Sequence, residues 1–389
     1  MFGRTDTKVE IRIPKLSGSS DPPRFSANLV ASLVTKADRL LSPEGEGSDV
    51  ARLNRAAAGE EIRADPLTLI AVKRALAWHG LSGGAFEPAL GPVKALWDAV
   101  SASPGEPPDD GELAGALALS RSEHLEADPS ASTLSWRRDG CRLDLGGIAE
   151  GLAADLALET LAARGVEHAS VRIGGAVASM GANPGSCPPS PWEKGLSDPL
   201  GRPLMPSAPP TGPNGKAREW RTAAFCGYTL KSVPAQGNAG KGSEGHAARN
   251  NPGGARVHEH GSCRGCGCCG RRLTLLDPAT GRPLPKGLSA AVFHPSSAAD
   301  AAAAAVTVSV LGPYGAERFL RQKGAQAFPE GLCAMVFSPG PEGSLATATL
   351  MLGPGGTLRV TRSLSPVPER SESREIGGIP LLPLAALSS

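Results

Sequence analysis

Two acidic residues bracket a glycine pair in Asp144-Leu-Gly-Gly-Ile-Ala-Glu-Gly151, and a second pair, Gly174-Gly175, follows after one helical and one strand-like stretch. Glycine turns let a ligand approach the backbone, and free N–H groups at a helix start suit a phosphate or a flat ring. A third acidic candidate, Asp300, opens the alanine-rich run Asp300-Ala-Ala-Ala-Ala-Ala-Val-Thr307. Far from these, His246, His258, His260 and Cys263-Arg-Gly-Cys266-Gly-Cys268-Cys269 offer a CxxC with nearby histidines, the spacing of a zinc ligand set. No second CxxC accompanies it, so metal binding and an oxidation-prone loop both remain open.

The elements around the glycine turns follow from periodicity. Arg142 to Leu145 alternates as a half-buried strand does, and Leu152, Leu156, Ala157 and Leu161 fall on one helical face with Gly165 as the stop. Ala169 to Ile173 then reads as a strand, which makes a βαβ unit whose glycine pairs lie side by side. The turn has no P-loop Lys-[Ser/Thr] and not the glycine spacing of a dinucleotide fingerprint. From the residues alone, a tight packing turn and a ligand-binding turn stay open. Ser26 to Leu41 and Pro66 to His79 have helical periodicity, and Val9 to Ile13 reads as a first strand.

Composition narrows the class. With 389 residues the chain can bury a sizeable core, and 49 glycines and 36 prolines against 4% aromatics imply many turns. A formal charge of +2, without basic runs, gives no case for nucleic acid. The N-terminus has no apolar signal-like stretch, which predicts a cytoplasmic protein as written, and a start placed further upstream would make it periplasmic or membrane-anchored. Membrane association is then expected only through a partner or a lipoprotein signal.

Asp144 to Gly151 resembles the DLGGIA(K/E)G signature of the ApbE family, the FAD:protein FMN transferases. Further matches follow the family's order: Ser48-Asp-Val-Ala-Arg-Leu-Asn54, Ser82-Gly-Gly-Ala-Phe-Glu-Pro88, Gly91-Pro92 with Trp97, Leu276-Asp-Pro-Ala-Thr-Gly281, and Ala299-Asp300-Ala301 ahead of Gly312. The resemblance implies a mixed α/β fold over about residues 5 to 340, interrupted by loops near 184–191, 204–217 and 239–272, with a low-complexity tail at 362–389. It also implies a Mg²⁺-dependent enzyme that moves the FMN half of FAD onto a threonine or serine of an acceptor flavoprotein and releases AMP. The implied FAD contacts are Ala85, Phe86, Glu87, Asp144, Glu150, Gly174, Gly175, Gly237 and Thr274. Asp300 and Thr274 take the catalytic positions, and the carbonyl of Gly147 with Asp300 and Ala304 takes those of the Mg²⁺ ligands.

Three of these positions depart from the family. Thr274 stands where it keeps a histidine, Ala235-Gln236 where it keeps Thr-Ser, and Ala304 where it keeps a threonine one helical turn after the aspartate. The only nearby hydroxyl is that of Thr307, and two extra residues before Gly312 leave open a register in which it takes that last place. A histidine carries protons near neutral pH and a threonine does not. The alternative expectation is therefore a divergent homologue that binds flavin, or acts as a scaffold, without transfer.

Overall fold

The structure, a computed structural model, describes residues 9–13, 23–102, 106–181, 222–226, 275–285, 288–341 and 344–365. The expected loops at 184–191, 204–217 and 239–272, the His/Cys cluster, Gly237 and Thr274 all lie outside the described residues.

Eight strands build one sheet in which every pairing is antiparallel: β1 (Val9–Arg12), β5 (Ala169–Ile173), β6 (Ala176–Met180), β7 (Thr222–Cys226), β8 (Ser289–His294), β9 (Leu332–Pro339), β10 (Leu345–Leu352) and β11 (Leu358–Ser365), in that spatial order. A small sheet of β2 (Ile62–Arg63), β3 (Leu125–Asp128) and β4 (Thr133–Trp136) lies apart from it. The main sheet runs past residue 340, the expected end of the domain, and β11 takes in the first four residues of the expected tail. The pairing explains the extension: β10 matches β9 and β11 residue for residue along its whole length.

Helices α1 (Pro23–Leu41), α2 (Asp49–Leu53), α3 (Pro66–Ser82), α4 (Gly91–Ala102) and α5 (Asp110–Leu119) precede the two that organise the core, α6 (Ala149–Ala162) and α7 (Ala298–Ala327). From Ala298 to Ala305 every residue of α7 but Asp300 is a buried alanine, which lets α6 come close. At Gly151 an added Cβ would stand 2.6 Å from the Ala298 carbonyl carbon and 2.7 Å from the Ala299 Cα. Only glycine fits that crossing. Gly312, with φ +64°, and Pro313 divide α7 at a kink, as proline at a helix interior requires. Among the described residues no helix is long and apolar enough to cross a membrane.

The expected βαβ unit is present in part. Ala169–Ile173 is a strand and α6 precedes it, but Arg142 to Leu145 joins neither sheet and makes one isolated bridge, Arg142 to Leu90. Its backbone is satisfied otherwise. The Asn54 side chain both donates to the Leu143 carbonyl at 3.0 Å and accepts from the Leu143 N–H at 2.7 Å, and the Asp144 N–H donates to the Pro88 carbonyl at 2.7 Å. Buried backbone groups need a partner, and here a side chain and a loop supply it instead of a ladder. Strand β5 then turns directly back into β6 through Gly174-Gly175, with Ile173 opposite Ala176 and Gly174 at φ +55°.

Candidate functional site

The turn into α6 is held from three sides. Asp144 accepts the Gly146 N–H at 2.8 Å through one carboxylate oxygen, while the other lies 3.0 Å from the Lys94 Nζ. Burial alone would raise the Asp144 pKa, but Lys94 and the backbone bond outweigh it and hold the carboxyl below the ordinary aspartate value. Asp144 in turn raises the Lys94 pKa against burial, so the ammonium stays charged. Lys94 is carried there by α4, whose start is tied to the same segment by the Gly91 N–H donating to the Arg142 carbonyl at 3.3 Å.

The 83–87 turn meets this one directly. Gly83, at φ +64°, ends α3 in the left-handed conformation, and the Ser82 hydroxyl accepts the Phe86 N–H at 2.9 Å. Phe86 is buried with its ring edge on Gly147, where an added Cβ would lie 2.9 Å from the ring and 3.2 Å from a Val306 methyl. Ala85 is also buried. Glu87 turns inward: its carboxylate accepts the Ala89 N–H at 2.8 Å and the Ser122 hydroxyl, and one oxygen lies 3.1 Å from the His79 Nδ1, out of line for a hydrogen bond. Ala85 and Phe86 are thus core side chains, and Glu87 is engaged by its own chain.

The second glycine pair closes onto the same place. Glu150, in the first turn of α6, accepts the Gly175 N–H at 3.0 Å, and an added Cβ at Gly174 would stand 2.5 Å from the Glu150 carboxyl carbon. The three turns that the sequence offered as ligand contacts are therefore brought together, through Phe86 on Gly147 and Glu150 on Gly175.

Asp300 is placed differently. Its carboxylate accepts the Arg74 guanidinium through both oxygens, at 2.9 and 2.7 Å, and the Trp78 indole N–H at 2.9 Å. Burial opposes its ionisation, yet Arg74 and Trp78 prevail and keep its pKa low. Arg74 also donates to the Ser297 hydroxyl at 2.6 Å, and Ser297, the N-cap of α7, donates to Asp155 at 2.9 Å. Asp155 accepts the Ala298 and Ala299 N–H groups at 2.7 and 3.0 Å, so α6 supplies a carboxylate to the positive end of α7. Burial pushes Asp155 up to about 6 against the pull of those three donors.

The sequence profile of the ApbE family matches residues 5–211, more than half of the chain. The chain belongs to the ApbE family. It is 32% identical over 182 residues to the FAD:protein FMN transferase of Treponema pallidum, covering 44% of this chain and 50% of that protein. The protein of the same name from Vibrio cholerae is 31% identical over 176 residues, 43% of this chain and 51% of its own length. The chain thus spans about half the length of the curated relatives it matches. Its fold is similar to the flavin transferase ApbE from Vibrio cholerae, with a TM-score of 0.64 at 20% identity over 93% of this chain and 94% of that one. The apo flavinyl transferase ApbE of Pseudomonas stutzeri gives 0.63, also at 20% identity, over 88% and 94%. At that identity the likeness shows the fold.

Set in the ApbE fold, the expected Mg²⁺ donors do not converge. Ala304 is buried and has no oxygen in its side chain, and the Thr307 hydroxyl donates to the Ala303 carbonyl at 2.8 Å. The α7 side chain that a Cβ on Gly147 would meet first is Val306. Mg²⁺ binds oxygens at about 2.0–2.1 Å in an octahedron, so any two ligands lie within about 4.2 Å of each other. Asp300 sits six residues before Val306, about 9 Å back along the helix axis. With its oxygens on Arg74 and Trp78 as well, Asp300 does not fit an ion held at Gly147.

Three residues were missed by sequence reasoning: Arg74, Trp78 and Lys94. Arg74 and Trp78 are four apart on α3, a spacing that aims both at one neighbour, and this was the available signal. The Leu276–Gly281 motif is docked by a bond from the Trp97 indole N–H to the Gly281 carbonyl at 2.8 Å, which joins two of the matched segments.

Proposed function

We propose that this chain is an FAD:protein FMN transferase, which moves the FMN half of FAD onto a threonine or serine hydroxyl of an acceptor flavoprotein and releases AMP. The observation that carries the reading is the meeting of the 83–87, 144–151 and 174–175 turns, in a chain whose relatives from Treponema pallidum and Vibrio cholerae are named for that transfer.

In this reading the acceptor oxygen attacks the FMN-side phosphorus. The bond from that phosphorus to the bridging oxygen breaks, its electron pair leaves with AMP, and the hydroxyl proton passes to a base. Such a displacement is helped chiefly by positioning and by positive charge near the pyrophosphate. Backbone N–H groups at the start of α6 and the Lys94 ammonium supply that charge. Asp144 orients Lys94, and Phe86 and Gly147 fix the spacing of the two turns. Thr274 favours a second reading, since it stands where the family keeps a histidine: a homologue or scaffold that binds flavin and does not transfer it.

Incubation with FAD and a threonine-bearing acceptor domain separates the two. Covalent flavin fluorescence on a denaturing gel, with AMP appearing in equal amount, supports transfer. Saturable FAD binding without covalent product supports the flavin-binding homologue, and absence of FAD binding leaves the scaffold alone.

A further inference from the structure

The helix face that meets the glycine turn carries hydrocarbon where a metal would need oxygen. A Val306 methyl stands 3.2 Å from where a Cβ on Gly147 would lie, and Ala302 and Val310 lie one turn before and one turn after it on the same face of α7. Valine has the shape of threonine with a methyl in place of the hydroxyl, so the site has its packing and lacks its donor. Asp300 has been drawn into the Arg74 and Trp78 contacts. Positive charge at the turn comes instead from Lys94, which lies 3.0 Å from Asp144 and 3.8 Å from Asp98. An ammonium has three N–H donors; Asp144 is within hydrogen-bond reach of one and Asp98, at 3.8 Å, of none, so a phosphate oxygen can be met by another.

We propose that this ApbE family member binds the pyrophosphate of a flavin dinucleotide without a divalent cation, with Lys94 as the fixed positive charge at the turn. The inference rests on the flavin reading above but not on transfer. It makes Lys94 a binding residue that discriminates for phosphate, and it makes Ala302 and Val306 the two positions at which metal dependence has been lost. Lysine suits the role because it acts as a compact point charge on a flexible stem.

Three measurements test it. Titration with FAD in EDTA and again in Mg²⁺, followed by flavin fluorescence, should give dissociation constants within about twofold, and a tightening of about tenfold or more by Mg²⁺ would overturn the proposal. Lys94→Met should weaken FAD by about tenfold while leaving riboflavin, which has no phosphate, within about twofold. Lys94→Arg, which keeps the charge and the Asp144 pairing, should recover most of the loss and guards against a folding defect. Equal weakening of FAD and riboflavin by Lys94→Met would remove the charge role. Finally, Mn²⁺ followed by electron paramagnetic resonance should find no stoichiometric site in the wild-type protein and one in the Ala302→Asp, Val306→Thr double variant. This last arm needs no flavin. If FAD fails to bind under any condition, the flavin reading fails and the Lys94 role with it, whereas a 1:1 Mn²⁺ site in the wild type that persists when Cys263, Cys266, His258 and His260 are replaced by alanine overturns the metal-free site alone.

Discussion

Asp144 and Asp300 are aspartates paired with a cation of their own chain, at 3.0 and 2.7 Å, and they differ in what the pair holds. Asp144 shares its carboxylate between Lys94 and the backbone of the glycine turn, so its charge and its partner both belong to the turn. Asp300 takes a two-pronged bond from Arg74 and a third from Trp78, all from α3, and so ties α3 to the start of α7. The first pair is a loose point-charge contact; the second is a planar fork with fixed geometry. A residue type in the expected place therefore says little about its task until its partner is known.

The clamp should fail most when cut. Asp300→Ala leaves a guanidinium and an indole N–H without their acceptor, each part-buried, and is expected to cost about 3 kcal/mol, or roughly 4–5 °C in Tm for a chain of this size. FAD affinity per folded molecule should hardly change. A large loss of affinity with unchanged Tm would return Asp300 to the ligand site and undo the contrast with Asp144.

Acid should act on the two ends of the same network in opposite directions. The folded-state pKa of Asp300 is depressed, so its contribution is present above the unfolded value of about 4 and is lost as pH falls below it. Asp155 is pushed up to about 6, so burial of its charge penalises the fold above that pH and the penalty lifts as pH falls from about 6 towards 4. Tm should rise slightly, by an amount on the order of 1–2 kcal/mol in stability, between pH 7 and 5, then fall below pH 4. Asp155→Asn should flatten the upper limb and leave the lower one. An unchanged upper limb in that variant would show that the three donors from Ser297, Ala298 and Ala299 keep Asp155 ionised after all.

Asp144→Asn should be milder for stability and sharper for ligand. Asparagine keeps an acceptor for the Gly146 N–H and gives up the charge that holds Lys94, at a cost of about 1–2 kcal/mol. Flavin affinity should drop by about tenfold as the ammonium loses its orientation, with FAD affected more than riboflavin. Equal effects on the two ligands would make Asp144 a turn-former only.

How far the sequence reached follows from the kind of constraint each residue obeys. Gly147, Gly151 and Gly174 were readable because a side chain at each meets a neighbour in the folded chain, and such limits are written in the residue type. Asn54 was readable as part of a motif, though not as the residue that satisfies both backbone groups of Leu143. Arg74, Trp78 and Lys94 sit inside ordinary amphipathic helices, and the partner of the first two lies more than two hundred positions away. Helical phase was the other blind spot. Counting forward from Asp300 selects Ala304, whereas the kink at Gly312 and the contact at Gly147 select Val306, and a polyalanine run offers no landmark between them.

The smallest expected effect lies at the second glycine pair. Glu150 accepts the Gly175 N–H at 3.0 Å, a bond a glutamine carbonyl can make equally well, so Glu150→Gln should change stability by less than about 0.5 kcal/mol. What it removes is a negative charge at the start of α6, where a pyrophosphate and a carboxylate would compete for the same N–H groups and the same Lys94 field. FAD should therefore bind about two- to threefold more tightly in the variant at low salt, and the gain should shrink as salt screens it. Riboflavin, uncharged, should not notice the change. Weaker binding of both ligands would mean instead that the Glu150 carboxylate accepts a hydrogen bond from the flavin ring, and the phosphate would then have to lie on the Lys94 side of the turn alone.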